Sequence, residues 1–200
     1  MSVLSMRARQ KAWDIALIIF VSALAWILQL AVLSSFTFQG AFCNLPLTMA
    51  ILWGFVFGSK SPAIRPEELR TRTAKEIFVR QLGAGSVSGF LFGAFIAAMY
   101  SSALPLYPVS YPIIGWIAGY FSLRKVNPDT LLCIPMVLLG TVFADFVTAF
   151  QLVLTGHADV FPQLSRIALP EALMNALIAP FVYFPMRHWL DFSSAAQSET

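Results

Sequence analysis

Charge is what this sequence has least of. Asp, Glu, Lys and Arg supply 12% of its 200 residues, and its mean hydropathy is +0.74. A soluble domain of that length carries about twice that share of charge. The shortage excludes an ordinary soluble domain, and nothing points to a nucleic-acid partner. Cysteine is nearly as scarce. Cys43 and Cys133 form no CxxC, and no Cys/His cluster surrounds them, so neither a metal site nor a disulfide framework is expected. Both read as small apolar packing residues. The two histidines, His157 and His188, are too far apart for a shared site. The P-loop, GxSxG, HExxH and dinucleotide fingerprints are absent, so no enzyme activity and no cofactor are expected.

What remains is apolar. Hydrophobic residues make up 58% of the chain, and 18 residues are Phe. Six apolar segments stand out, at roughly 13–34, 42–58, 82–103, 109–124, 131–155 and 167–190. Several reach or approach the ~20 residues that cross a bilayer as a helix. The first is too long for a signal-peptide core and reads as a retained span. The expected fold is all-α: a polytopic integral membrane protein with a six-helix transmembrane bundle. It forms one domain over 1–192, and 193–200 is expected to be a disordered tail.

The basic residues set the orientation. With six spans, twelve of the thirteen Lys and Arg fall on one face and only Arg166 falls opposite. The positive-inside rule makes that face cytoplasmic, with both termini on it. The basic loop 59–81 contains PEELRTRTAKEIFVRQL, which reads as a surface helix with Pro66 in its first turn. The stretch SALPLYPVSYP reads as a stiff, non-helical outer turn. Trp13, Tyr100, Tyr107, Tyr111, Tyr120 and Trp189 fit an aromatic belt at the interfaces.

Glycine spacing and buried polar groups supply the candidate site residues. Gly85, Gly89 and Gly93 form a double GxxxG, and Gly54 with Gly58 and Gly115 with Gly119 repeat the spacing. Lipid offers no hydrophobic drive between helices, so close backbone contact must hold them. Contact within the monomer is favoured over a dimer contact, because three segments share the pattern. Asp145 lies near the middle of the fifth segment, where a carboxylate must face the bundle interior or be protonated. It is either a carboxyl hydrogen-bonded to a neighbouring helix or a proton, cation or ligand site. Glu171 follows Pro170 in the expected first turn of the sixth segment. There it would sit near water and complement a helix N-terminus. Asn175 lies one turn deeper on the same face and needs a partner in the bundle. Pro180 and Pro185 are expected to kink or loosen the segment beyond it.

The stretch LPEALMNALIAPFVYFPMRHWL, residues 169–190, resembles the C-terminal end of the MreD family of bacterial rod shape-determining membrane proteins. That family tends to end in Pro-Glu-x-x-x-Asn-x-hydrophobic-x-Pro; Pro170, Glu171 and Asn175 occupy the first three of those places here, and Pro180 falls one residue beyond the last. GSVSGFLFGAF through YPIIGWIAGYF, with Gly115 and Gly119, is similar to the family's middle. The Asp that family members carry near the end of the Gly-spaced helix has no counterpart in GAFIAAMYSS, so no role is carried over there. The resemblance implies a non-enzymatic component of the cell-elongation machinery in the bacterial inner membrane. Its implied partners are an MreC-like wall-side protein, the actin-like MreB and peptidoglycan synthases. The bundle also resembles the small-molecule-binding subunits of energy-coupling-factor transporters, in which Asp145 or Glu171 would contact a ligand.

Overall fold

A computed structural model describes residues 3–38, 40–58, 76, 84–101, 107–122, 130–157 and 160–198. The expected surface helix in the basic loop lies outside these residues, apart from Glu76. Among the described residues the chain forms six α-helices: α1 (Val3–Ala31), α2 (Leu45–Val56), α3 (Val87–Tyr100), α4 (Ser110–Ala118), α5 (Cys133–Leu154) and α6 (Val160–Ser198). A two-stranded antiparallel hairpin joins α1 to α2, pairing β1 (Thr37–Phe38) with β2 (Ala41–Phe42). Gly40, at φ 82, occupies its turn in the left-handed region open to glycine.

The helices fall into two length classes. The segments Ile15–Ser35, Cys133–Leu154 and Arg166–Asp191 are long and apolar enough to cross a membrane. The others are shorter: 12 residues in α2, 14 in α3 and 9 in α4. At ~1.5 Å per residue, none of these three alone matches a hydrocarbon core ~30 Å thick. Two boundaries depart from the sequence expectation. Ser110, Tyr111 and Pro112, read as part of a non-helical turn, form the first turn of α4, where the missing N–H of a proline costs little. Residues 193–198, read as a disordered tail, continue α6 to Ser198.

Capping residues explain several starts and stops. Asn44 caps α2 by accepting from Leu47 N–H at 3.1 Å, and Pro46 sits in the first turn. Ser86 caps α3 through Gly89 N–H at 2.9 Å. At the end of α5, Gly156 N–H bonds Val153 O and His157 N–H bonds Leu152 O. With Gly156 at φ 98, this is a Schellman motif.

The short helix α2 is the centre of the molecule. It touches all five other helices, and every residue from Leu45 to Val56 is buried except Met49. The remaining helices turn large apolar side chains outward, among them Phe20, Ile27 and Leu30 on α1 and Leu177 and Phe181 on α6. So wide an apolar exterior suits lipid rather than water. Cys43 and Cys133 are buried thiols.

Glycine is what lets α2, α3 and α4 approach. A methyl group built on Gly54 or on Gly89 would overlap the Gly115 carbonyl oxygen, and one on Gly115 would overlap Gly89 O. Gly93 abuts Tyr111 and Pro112, Gly85 lies against the Trp116 ring, and Gly119 lies against Ser86. Gly85, Gly89 and Gly93 are thus each met by a residue of α4. Overpacking of this kind typically costs about 1–3 kcal/mol. Gly89→Ala should therefore lower the thermal midpoint of the detergent-solubilised chain by several degrees, and Gly89→Val should prevent recovery of folded protein. Leu177→Ala, on the exposed face of α6, serves as the neutral control.

Candidate functional site

Where the hairpin passes into α2, the backbone of Cys43, Asn44 and Leu45 lies in the interior. Asn44 is 6% exposed, and Cys43 is fully buried. Cys43 and Asn44 precede the helix and Leu45 is its first residue, so the Cys43 carbonyl and the Asn44 and Leu45 N–H groups need partners from outside the helix. Two side-chain amides supply them. Gln29 of α1 donates from Nε2 to Cys43 O at 2.7 Å and accepts from Leu45 N–H through Oε1 at 2.9 Å. Asn175 of α6 accepts from Asn44 N–H through Oδ1 at 2.7 Å and from Cys43 Sγ at 3.2 Å. Its Nδ2 donates to Thr141 Oγ1 of α5 at 3.1 Å. An amide carries an acceptor and two donors in one plane, so it can bind a peptide edge and still reach a second helix.

Asn44 extends the network to α3 and α4. Its Nδ2 donates to the Tyr111 hydroxyl at 2.9 Å, and its Oδ1 accepts from the Tyr100 hydroxyl at 3.2 Å. Tyr100 is held edge-on between Trp26, at 4.4 Å between ring centres, and Tyr111, at 5.3 Å. Next to Tyr111 at the start of α4, Ser110 shares a hydrogen bond of 2.9 Å with Thr148 of α5. All six helices therefore meet in one buried polar centre, built on Gln29, Asn44, Tyr100, Tyr111, Thr141 and Asn175.

The two carboxyl candidates border this centre. Glu171 does not lie in the first turn of its helix near water. The helix starts at Val160, which places Glu171 about three turns inside it, and the residue is only 7% exposed. Its side chain lies close to that of Asn44, while its Oε1 is buried without a hydrogen-bond partner. Asp145, on α5, is half-buried, and its Oδ2 is likewise buried without a partner. Pro170 is buried beside Glu171. Pro180 and Pro185 lie further along α6, which continues through all three prolines as one helix.

The structure therefore brings Asp145, Glu171 and Asn175 together. It places Gly85, Gly89, Gly93, Gly115 and Gly119 in a separate contact between α3 and α4. Tyr111 is buried and Tyr100 half-buried within the bundle, whereas Trp13 and Trp189 are exposed. Gln29, Cys43, Asn44 and Thr141 were not singled out from the sequence. A lone Gln inside an apolar run, and an Asn two residues before a Pro that opens a helix, are the signals that mark two of them. Among the described residues no group of three His, Cys, Asp or Glu is placed to hold a metal ion.

No family model, curated protein or solved structure matches this chain. The reading of function therefore rests on the residues themselves.

Leaving a buried donor or acceptor unpaired costs about 1–3 kcal/mol. Gln29→Leu orphans Leu45 N–H and Cys43 O. Asn175→Leu orphans Asn44 N–H. Each should lower the thermal midpoint in detergent. Because the two amides serve the same three-residue stretch, the double variant should lose less than the sum of the single losses. Strict additivity in that double-mutant cycle would show that they act independently.

Proposed function

We propose that this chain is a non-enzymatic scaffold of the cell-elongation machinery, of the MreD type. In this reading it is a six-span bundle in the bacterial inner membrane, with both termini cytoplasmic, and it helps organise peptidoglycan synthesis to maintain cell shape. Its partners are a single-span MreC-like protein on the wall side, the actin-like MreB and the lateral peptidoglycan synthases.

The observation that carries the reading is the position of Asn175. It is the Asn of the stretch that resembles the family's C-terminal motif, and it ties α6 to the start of α2 and to α5. A motif used to lock the bundle, with its polar atoms turned inward, suits a rigid adaptor. The exterior supports the same role. An apolar groove of about 290 Å³ between α4 and α5, lined by Ile114, Ile117, Pro135, Met136 and Leu139, can receive a lipid chain or a partner's transmembrane helix. The six-span topology is supported by the charge distribution and by an apolar helix in each expected segment. The short helices α2, α3 and α4 span only with their flanking residues, or with a locally thinned bilayer.

One observation favours a second reading, that of a small-molecule-binding subunit of an energy-coupling-factor-type transporter. Asp145 Oδ2 and Glu171 Oε1 are buried polar atoms without partners, as ligand contacts are before the ligand arrives.

Affinity purification from native membranes in mild detergent, with proteins and small molecules both identified by mass spectrometry, separates the two. The scaffold reading expects a single-span wall-side protein and peptidoglycan synthases, and it expects Asn175→Leu to impair both their recovery and cell shape. Recovery of a cytoplasmic ATPase pair with a stoichiometric metabolite would overturn it.

A further inference from the structure

Helices α5 and α6 run antiparallel and share the most extensive contact in the molecule. In such a pair, residues advance along one helix as they recede along the other. The hydrogen bond of 3.1 Å between Thr141 and Asn175 fixes one rung. Four residues on from Thr141 is Asp145, and four residues back from Asn175 is Glu171. Positions four apart lie on one helix face, so these two carboxyls form the next rung. They act on each other electrostatically.

The surroundings of this rung are polar but not basic. Asn44, at the head of α2, lies beside Glu171. Cys43 of the hairpin, Tyr100 of α3 and Tyr111 of α4 all lie within electrostatic reach of Glu171. From α1 comes the uncharged Gln29, through Cys43 and Leu45. Among the described residues, no Lys, Arg or His is among the groups that act on either carboxyl. Glu171 is only 7% exposed, and each carboxyl keeps one buried oxygen without a partner. Two neighbouring carboxylates, each with an oxygen shut away from water, cannot both stay ionised and uncompensated. The site lacks one positive charge.

We propose that the Asp145–Glu171 pair is a binding site for one small monovalent cation, taken up as a proton or as Na+. A proton on one carboxyl turns it into a hydrogen-bond donor to the other, so a single ion satisfies both orphan oxygens. Sodium would sit between the same two oxygens, with the hydroxyls of Tyr100 and Tyr111 and the carboxamide of Asn44 as the nearby polar groups. The pair is too poor in ligands for a transition metal, since among the described residues no third His, Cys, Asp or Glu joins it. This assignment does not depend on the scaffold reading.

The test is thermal unfolding of the full chain in lipid nanodiscs, followed by tryptophan fluorescence, from mildly acidic to mildly alkaline pH. It is run in choline chloride and in sodium chloride, for the unaltered chain and for Asp145→Asn. The folded pair retains a proton that the unfolded chain gives up, so the midpoint falls as pH rises. Asp145→Asn flattens that fall, and Cys43, Tyr100 and Tyr111 remain in both chains as the common background. If the ion is a proton, the two salts give the same curves. If it is sodium, sodium chloride raises the alkaline limb of the unaltered chain and not that of Asp145→Asn. Parallel slopes for the two chains in both salts overturn the proposal. Should Asp145→Asn fail to fold, Glu171→Gln gives the same comparison. Infrared difference spectra of the unaltered chain then decide independently. A protonated-carboxyl band that disappears on raising pH or on adding sodium supports the site, and its absence throughout overturns it.

Discussion

The fold depends on a short length of backbone at the start of α2 held in the interior. Where the hairpin passes into α2, the Cys43 carbonyl and the Asn44 and Leu45 N–H groups are peptide groups that α2 itself does not satisfy. In a region without water, each unpaired group would cost several kcal/mol. Gln29 and Asn175 reach in from the first and last helices and supply the missing bonds. That requirement places α1 and α6 against the head of α2. Once they are there, Thr141 follows on Asn175, and Tyr100 and Tyr111 follow on Asn44. The polar centre is therefore not an ornament on an apolar bundle. It is what permits a helix as short as α2 to lie at the middle of one.

A second constraint acts further along α2. Twelve residues cannot present much apolar surface, so α2 is held by closeness instead. Its Gly54 meets the Gly115 carbonyl, and Gly89 of α3 meets the same oxygen. Dispersion falls off steeply with separation, and bare backbones can approach where side chains cannot. Polar specificity at one end and glycine contact at the middle divide the work. The first selects which helices meet, and the second sets how near they come.

Much of this was legible in the sequence, and the boundary of what was not has a physical cause. Each of the six apolar segments contains a helix, because a long apolar run is a strong local signal. The glycine spacing marked the right residues, because small side chains at four-residue steps have one geometric meaning on a helix. Asn175 and Asp145 stood out as polar groups without water. Glu171 was misplaced because helix starts are weakly marked: a Pro-Glu pair reads as a first turn, yet α6 begins well upstream and runs through the proline. Tyr100 and Tyr111 looked interfacial because amphipathic rings favour interfaces in general, and only the tertiary position of Asn44 turns their hydroxyls inward. Gln29 was passed over because an uncharged amide inside an apolar run barely changes its hydropathy. Partners 14 or 131 residues apart, as in the bonds of Gln29 to Cys43 and of Asn44 to Asn175, leave no linear trace.

The separation between Asn44 and Asn175 also orders events during synthesis. The head of α2 leaves the ribosome long before the side chain that caps its peptide N–H exists. Early contacts, such as those of Gln29 with Cys43 and Leu45, form within one hairpin. The bond from α6 must wait until the rest of the bundle has been made. A nascent chain lacking its last helix therefore carries an open peptide edge at its centre, and such a half-built intermediate is a natural target for membrane quality control. The final helix acts as the clasp, and the bundle closes only when translation is nearly complete.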